Sequence, residues 1–233
     1  HFVYATMFKD ILPPNVHPLY NMAPPGDAST KFPIVQWHPA SSPDPRLAPL
    51  ESSLRSARVA MDRLREPTTS SDVAEKALFA LLHHTLRQPG MHDVLVFAST
   101  VKAVQTWAKG FLEEHGKDAY AVVWHTGSGA DPFVGKRVGE VDPKEWAEWW
   151  KAQGVEASAG RRSKRVIFAT PIAEASVTVP GLQVVIDNGQ ELRFEYRTGL
   201  DRAKTHPNHG ISKSSAKQRR GRTGRDCPGF YLA

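Results

Sequence analysis

The stretch Gln218-Arg219-Arg220-Gly221-Arg222-Thr223-Gly224-Arg225 packs four arginines into seven positions and separates them with two glycines. Arginine carries a planar fork of N–H donors that fits phosphate oxygens two at a time. Glycine lacks a Cβ, so it weakens a helix and lets a backbone come close to another group. A helix end aimed at a polyanion and a solvated basic turn both fit these residue types. Further basic residues, Arg161, Arg162, Lys164 and Arg165, precede an apolar run. They could bind backbone phosphate or form a solvated loop.

The elements that must position these residues are legible as periodic segments. Asp93 to Ala98 and Val166 to Ala169 are continuous apolar runs, as expected of strands buried on both faces of a parallel sheet. Ala119 to Trp124, Val184 to Ile186 and Gly229 to Leu232 read as further strands, and Phe2 to Tyr4 and Phe32 to His38 as two more. Helices are expected from Leu50 to Leu64, from an Asp72 cap to Gln88, and after Ser99-Thr100. Asp142-Pro143-Lys144-Glu145 predicts a capped helix start, with proline in the first turn and glutamate three residues after the cap. Trp146, Trp149 and Trp150 follow at helical spacing, which favours packing on the sheet with one ring at the rim over base stacking. Thr170 to Ala175 reads as helix or turn, Gln190 to Tyr196 as one arm of a hairpin, and Ser212 to Arg219 as the beginning of a last helix. Prolines mark Pro39 to Pro49 as loop.

Strands alternating with helices in this rhythm predict an α/β fold with a mostly parallel sheet flanked by helices on both faces. Ligands of such sheets sit at the carboxyl ends of strands. Ser99-Thr100, the segment from Thr170 and the loop before the last helix all fall there.

Composition narrows the partners. The 233 residues carry a net charge of +6, and from Lys151 onward 15 Lys+Arg stand against 7 Asp+Glu. This uneven basic excess favours a polyanion. Cys227 is the sole cysteine, which excludes an internal disulfide framework and a cysteine zinc cluster and fits a reducing compartment. No apolar run approaches the roughly 20 residues of a membrane span. The beginning, His1-Phe2-Val3-Tyr4-Ala5-Thr6, reads like the inside of a strand, so a fragment of a longer chain is expected.

Lys164 to Gly181 (KRVIFATPIAEASVTVPG) resembles motif V of the DEAH-box RNA helicases, a superfamily 2 family. Val185 to Gly189 is similar to the strand that follows it there, and Ile211 to Lys217 leads into Gln218 to Arg225, which resembles motif VI. Upstream, Leu95 to Ser99 resembles motif IV, Val123 to His125 the next strand, and Ala5 to Met7 the end of motif III. Tyr4 departs from the serine usual in that family, which puts the motif III contact in doubt. The resemblance runs from Ala5 to Ala233, closely from Lys164 and loosely before it. It implies two RecA-like, P-loop NTPase-type domains, of which this chain holds the second. Residues 1–40 would be the end of the first domain and a connecting strand, and residues 41–233 the second domain. The phosphate loop and acidic box of the first domain are not in the sequence. Gly129 to Arg137 does not supply a phosphate loop, because five residues separate Gly129 from Gly135 and an arginine follows Lys136.

The resemblance further implies an ATP-dependent RNA helicase motor domain, with ATP and Mg2+ held mainly by the absent first domain. Arg222 and Arg225 would be arginine fingers, and Gln218 would position the attacking water or the γ-phosphate. On a helix, their three-residue spacing would give Arg222 and Arg225 a face shared with Gln218 or Arg219. Ser176, Thr178, Gly221 and Arg219 would meet nucleotide, and Thr170, Ser99, Thr100 and Arg165 RNA backbone. No resident metal site is expected in this chain. Ser99 and Thr100 equally suit a helix cap, and Glu174 a structural hydrogen bond. The hairpin from Gln190 falls where the family separates strands. The partners implied are RNA, the first domain and an activating protein, in the nucleus or cytoplasm. Two other readings remain. Ala23-Pro24-Pro25-Gly26 is faintly similar to motif III of flavivirus or potyvirus helicases, and Tyr4 would suit a non-catalytic docking module.

Overall fold

The computed structural model describes residues 30–37, 44–63, 71–115, 120–126, 129–130, 132–157, 159–176, 179–196 and 203–233. The expected strand at Phe2 to Tyr4, the Tyr4 position, the Ala23 to Gly26 stretch and Thr178 lie outside them.

Among the described residues, nine strands form two sheets. Strand β1 (Ile34–Trp37) is followed by helices α1 (Glu51–Arg63) and α2 (Ser71–Arg87), then β2 (Asp93–Phe97) and α3 (Val101–His115). Next come β3 (Tyr120–Thr126), β4 (Gly129–Ala130), α4 (Pro143–Ala152), β5 (Lys164–Ala169), α5 (Ala173–Ser176) and β6 (Val184–Asp187). The hairpin β7 (Gln190–Tyr196) and β8 (Ala203–Gly210) precedes α6 (Lys213–Arg220) and β9 (Gly229–Leu232). The main sheet has the order β1-β9-β6-β2-β5-β3-β4; every pair in it is parallel except β3 with β4. The hairpin is a separate two-stranded antiparallel sheet. Ile34–Trp37, expected ahead of the domain as a connecting strand, is thus the edge strand of its sheet.

The path of the chain places the helices. The crossovers from β1 to β2 and from β2 to β3 run one way across the sheet, and those from β3 to β5, β6 and β9 run back. With right-handed crossovers, α1, α2 and α3 cover one face and α5 and α6 the other, while α4 packs at the β3 edge beside α3, whose Lys109 donates to the Gln153 carbonyl at 2.8 Å. Phe79 of α2 meets Phe111 of α3 edge-on at 5.4 Å, as two helices on one face should. The α/β architecture expected from the sequence is the one observed.

The apolar runs behave as two-sided strands. Val94 to Phe97, Val166 to Ala169 and Val184 to Ile186 are all buried. Asp142 caps α4, its Oδ1 accepting from Lys144 N at 2.7 Å and Glu145 N at 3.2 Å. That fixes the tryptophans. Trp146 and Trp150 are fully buried and both indoles donate to the Val122 carbonyl, at 3.0 and 2.9 Å. Trp149 is half-buried at the rim.

Three local expectations differ. Part of the proline-rich stretch forms a 3-10 turn, Pro45–Leu50, because Asp44 Oδ1 accepts from Arg46 N and buried Leu47 and Leu50 anchor it. Asp72 lies inside the first turn of α2 rather than capping it. The two-residue strand β4 is too short to show any period in the sequence.

Candidate functional site

In a parallel sheet all carboxyl ends share one edge. Here His125, Ala169, Phe97 and Asp187 stand level across β3, β5, β2 and β6. Polar residues follow within two positions: Thr126, Thr170, Ser99 and Asn188, all buried. His125 also belongs to this row, and burial lowers its pKa. Of these, His125, Thr126 and Asn188 carry no sequence signal beyond their place at strand ends.

Thr170 N donates to the His125 carbonyl at 3.1 Å, continuing the ladder, and its own carbonyl accepts from Ala173 N at 3.0 Å. Its amide is therefore engaged, and the hydroxyl is the group Thr170 can present to a ligand. Thr100 caps α3, its Oγ1 accepting from Ala103 N at 3.1 Å. The capping alternative is thus realised there. Ser176 closes the short helix α5.

Arg165 is a correction to the expected RNA contacts. It lies near the start of β5, level with Asp93 and Ala121 at the starts of β2 and β3. Five residues of strand, about 16 Å, separate it from Thr170. Its side chain has no exposed surface, and its Nε donates to Asp93 Oδ1 at 2.7 Å. Nη2 donates to the Pro180 carbonyl at 3.0 Å, and Nη1 to the carbonyls of Val134, at 3.3 Å, and Lys136. This guanidinium fastens loops at the amino end of the sheet and leaves no face for RNA. Nearby Arg162 is also buried, stacked over the Trp146 ring at 4.8 Å.

The arginine stretch divides into two parts. Ser212 caps α6 through Ser215 N, and the helix ends at Arg220 with Gly221 as C-cap. Within it Arg219 is fully buried. Its Nε donates to Glu174 Oε1 at 2.6 Å and its Nη1 to Asp187 Oδ1 at 2.7 Å and the Gln190 carbonyl at 3.2 Å. The guanidinium also lies over the Phe97 ring at 4.8 Å. Asp187 is held in turn by Tyr231 Oη at 2.5 Å and Gly189 N at 2.9 Å. Burial alone would lower the pKa of Arg219, but Asp187 and Glu174 more than offset it, so the charge is secure. Arg219 was expected at the nucleotide; the structure uses it inside the fold instead, and Glu174 makes the structural hydrogen bond expected of it.

Arg222 and Arg225 follow the helix in a turn, so they share no helical face with Gln218. Gln218 is exposed in the last turn of α6. Arg225 Nε donates to the Gly221 carbonyl at 2.9 Å. Thr223 anchors the turn, its hydroxyl donating to the carbonyls of Gln183 at 2.7 Å and Leu182 at 3.1 Å. Gly224 is required by a neighbour in the same fold. Its φ is +72°, and a Cβ there would lie 2.7 Å from Ile34 Cγ1 and 3.0 Å from the Phe32 carbonyl. Arg222 is half-buried; burial first, and then the like charge of Arg225, lower its pKa, while Glu174 opposes them. An anion brought to this turn would offset the like charges of Arg222 and Arg225 and favour the charged form of Arg222.

Among the described residues no group of three or more His, Cys, Asp or Glu is placed to hold a metal ion. No helix among them is long and apolar enough to cross a membrane.

No family model matches the chain. A 72-residue segment, 30% of the chain, is 51% identical to the ATP-dependent RNA helicase DEAH11, chloroplastic, of Arabidopsis thaliana. A longer match to the ATP-dependent RNA helicase DHX33 of Drosophila melanogaster is 33% identical over 160 residues, 68% of the chain. The chain is partly homologous to the DEAH/DExH-box RNA helicases. Against the helicase HrpA of Escherichia coli K12, identity is 46% over 71 residues, 30% of the chain. The chain spans only 4%, 21% and 5% of the lengths of these three relatives. Among solved structures, the E. coli DExH-box NTPase HrpB superposes with a TM-score of 0.44 at 21% identity, covering 88% of this chain and 20% of that one.

Proposed function

We propose that this chain is the second motor domain of an ATP-dependent, DEAH-type RNA helicase, and that Arg222 and Arg225 complete an ATP site formed with a first domain. The observation that carries this reading is the 51% identity over 72 residues to a protein named as such a helicase. The geometry adds support: the turn anchored by Thr223 carries Arg222 and Arg225, whose charges act on each other, and Gln218 is exposed in the last turn of α6 before it. Phosphoryl transfer spreads negative charge over the oxygens of the transferred group, so catalysis is mostly positioning and charge stabilisation. Arg222 and Arg225 stabilise that charge when the two domains close, and Gln218 orients the attacking water. ATP with its Mg2+ is held mainly by the first domain. Ser176, Thr178 and Gly221 contact the nucleotide, and Thr170, Ser99 and Thr100 hold RNA phosphates without reading bases, Thr100 through the hydroxyl proton that its accepting role in the α3 cap does not use. RNA and the first domain are the essential partners, an activating protein a further one, inside the cell. Because β1 is part of the sheet, the boundary with the first domain falls ahead of Phe32.

ATP turnover by the complete protein, with and without RNA, tests this reading against Arg222→Ala and Arg225→Ala. Each substitution is expected to lower RNA-stimulated turnover by about a hundredfold or more, since an arginine finger contributes about 10³–10⁵. Turnover unchanged in both would sink the assignment.

A further inference from the structure

Every polar bond of Arg219 described above lies inside the fold, yet Arg219 sits three residues from Arg222. Its guanidinium bridges Glu174 on α5 and Asp187 at the end of β6, the next element in the chain. The backbone then passes directly into the arginine turn, with Arg222 N donating to the Arg219 carbonyl at 3.1 Å. On the far side Thr223 is tied to the Leu182 and Gln183 carbonyls. Arg222 therefore stands between two pins, one ionic and one hydroxyl.

We propose that Arg219 is a positioning residue that acts through Arg222. It fixes the turn against Glu174 and Asp187 so that the Arg222 guanidinium is held in place before any anion arrives. This rests on the proposed function above. A lysine cannot replace it, because one ammonium on a flexible stem does not reproduce a planar fork reaching two carboxylates and a carbonyl at once. Tyr231 extends the network by holding the second oxygen of Asp187.

The test is a double-mutant cycle on the complete protein, read as single-turnover ATP hydrolysis with enzyme in excess. Arg219→Lys in the parent background is expected to lower the rate by about tenfold, the scale of one charge-assisted hydrogen bond. In an Arg222→Ala background the same change is expected to cost less than about twofold, because residues acting as a unit are non-additive. A general loss of folded protein would cost the same factor in both backgrounds, and that result overturns the proposal. No loss in the parent background overturns it too. Tyr231→Phe, a milder change, is the second variant should Arg219→Lys fail to fold. Its expected loss is about two- to fivefold in the parent, less than a whole charge-assisted bond because Tyr231 acts through Asp187 and leaves the Arg219 bonds in place, and none beside Arg222→Ala. If Arg222→Ala by itself leaves turnover intact, the helicase assignment of Arg222 fails first. If Arg222→Ala is damaging but the cycle is additive, only the positioning role fails.

Discussion

Replacing Arg165 by alanine separates a buried structural cation from an RNA ligand. The substitution removes a guanidinium with no exposed side-chain surface and leaves Asp93, 13% exposed, without its partner. It also strips a donor from the Pro180 and Val134 carbonyls. Breaking one side of a buried pair costs about 3–5 kcal/mol, because the remaining charge is left desolvated. Domains are stable by about 5–15 kcal/mol, so the loss is a large share of the total. With a urea slope of about 2–3 kcal/mol/M, the unfolding midpoint should fall by about 1–2 M, read from tryptophan fluorescence. The loss should depend on pH in a definite sense. Burial already raises the Asp93 carboxyl above its ordinary 3.8, against the pull of Arg165, and removing Arg165 raises it further. Between 3.8 and that raised value the folded chain binds more protons than the unfolded one, so stability falls as pH rises through the window. The Arg165→Ala deficit is therefore greatest near neutrality and shrinks as the pH falls toward 4. Pairing Arg165→Met with Asp93→Leu should recover at least half of the loss, since a buried ion pair is commonly replaceable by apolar side chains. RNA affinity per folded molecule should keep the salt slope of the parent. A variant as stable as the parent whose salt slope drops by about one would show Arg165 on a phosphate and refute the burial argument.

Three further substitutions probe the elements that hold the site. Gly224→Ala should lose about 2–4 kcal/mol in urea unfolding, combining a left-handed φ with overlap against Ile34 and Phe32; a loss under about 0.5 kcal/mol would mean that β1 moves aside freely. Trp146→Phe and Trp150→Phe each remove one of two donors to the same Val122 carbonyl. Each alone should cost about 1 kcal/mol for the bond, and the double substitution more than the sum because the acceptor then loses both indoles; strict additivity in thermal unfolding would count against the shared acceptor. Ser212→Ala removes the oxygen that accepts from Ser215 N and should cost about 1 kcal/mol of stability. Equal melting of variant and parent would show that α6 is held by packing alone.

The legible part of the fold was the part with period or punctuation. Apolar runs without alternation gave β2, β5 and β6, and Asp142-Pro143 gave the start of α4. The spacing of Trp146, Trp149 and Trp150 implied two rings inside and one at the rim. The carboxyl-end location of Ser99, Thr100 and Thr170 followed from strand order of the usual handedness. What could not be read were the pairings made at long range. Arg165 finds Asp93 at a separation of 72 residues, and Arg219 finds Asp187 at 32. No local pattern marks either pair. The end of α6 was misplaced for a different reason: arginine favours helix, so the run reads as continuous. Gly221 and the Thr223 anchor stop it at Arg220.

The arginines of one short stretch therefore have different fates for reasons set by topology. A residue in the last turn of α6 that faces the sheet meets the carboxylates that end β6 and begin α5, and these outweigh the cost of burying its charge. Arg222 and Arg225 lie beyond Gly221, outside the helix, and their charges act on each other. The turn that carries them is tied down by the Thr223 hydroxyl, and the helix before it by Arg219. An anchored pair of like charges resists separation, so a bound anion relieves the repulsion at little reorganisation cost. That is the arrangement in which electrostatic stabilisation of a developing charge is most effective. Loosening either anchor would let the two guanidinium groups drift apart and lose that advantage before any ligand is present.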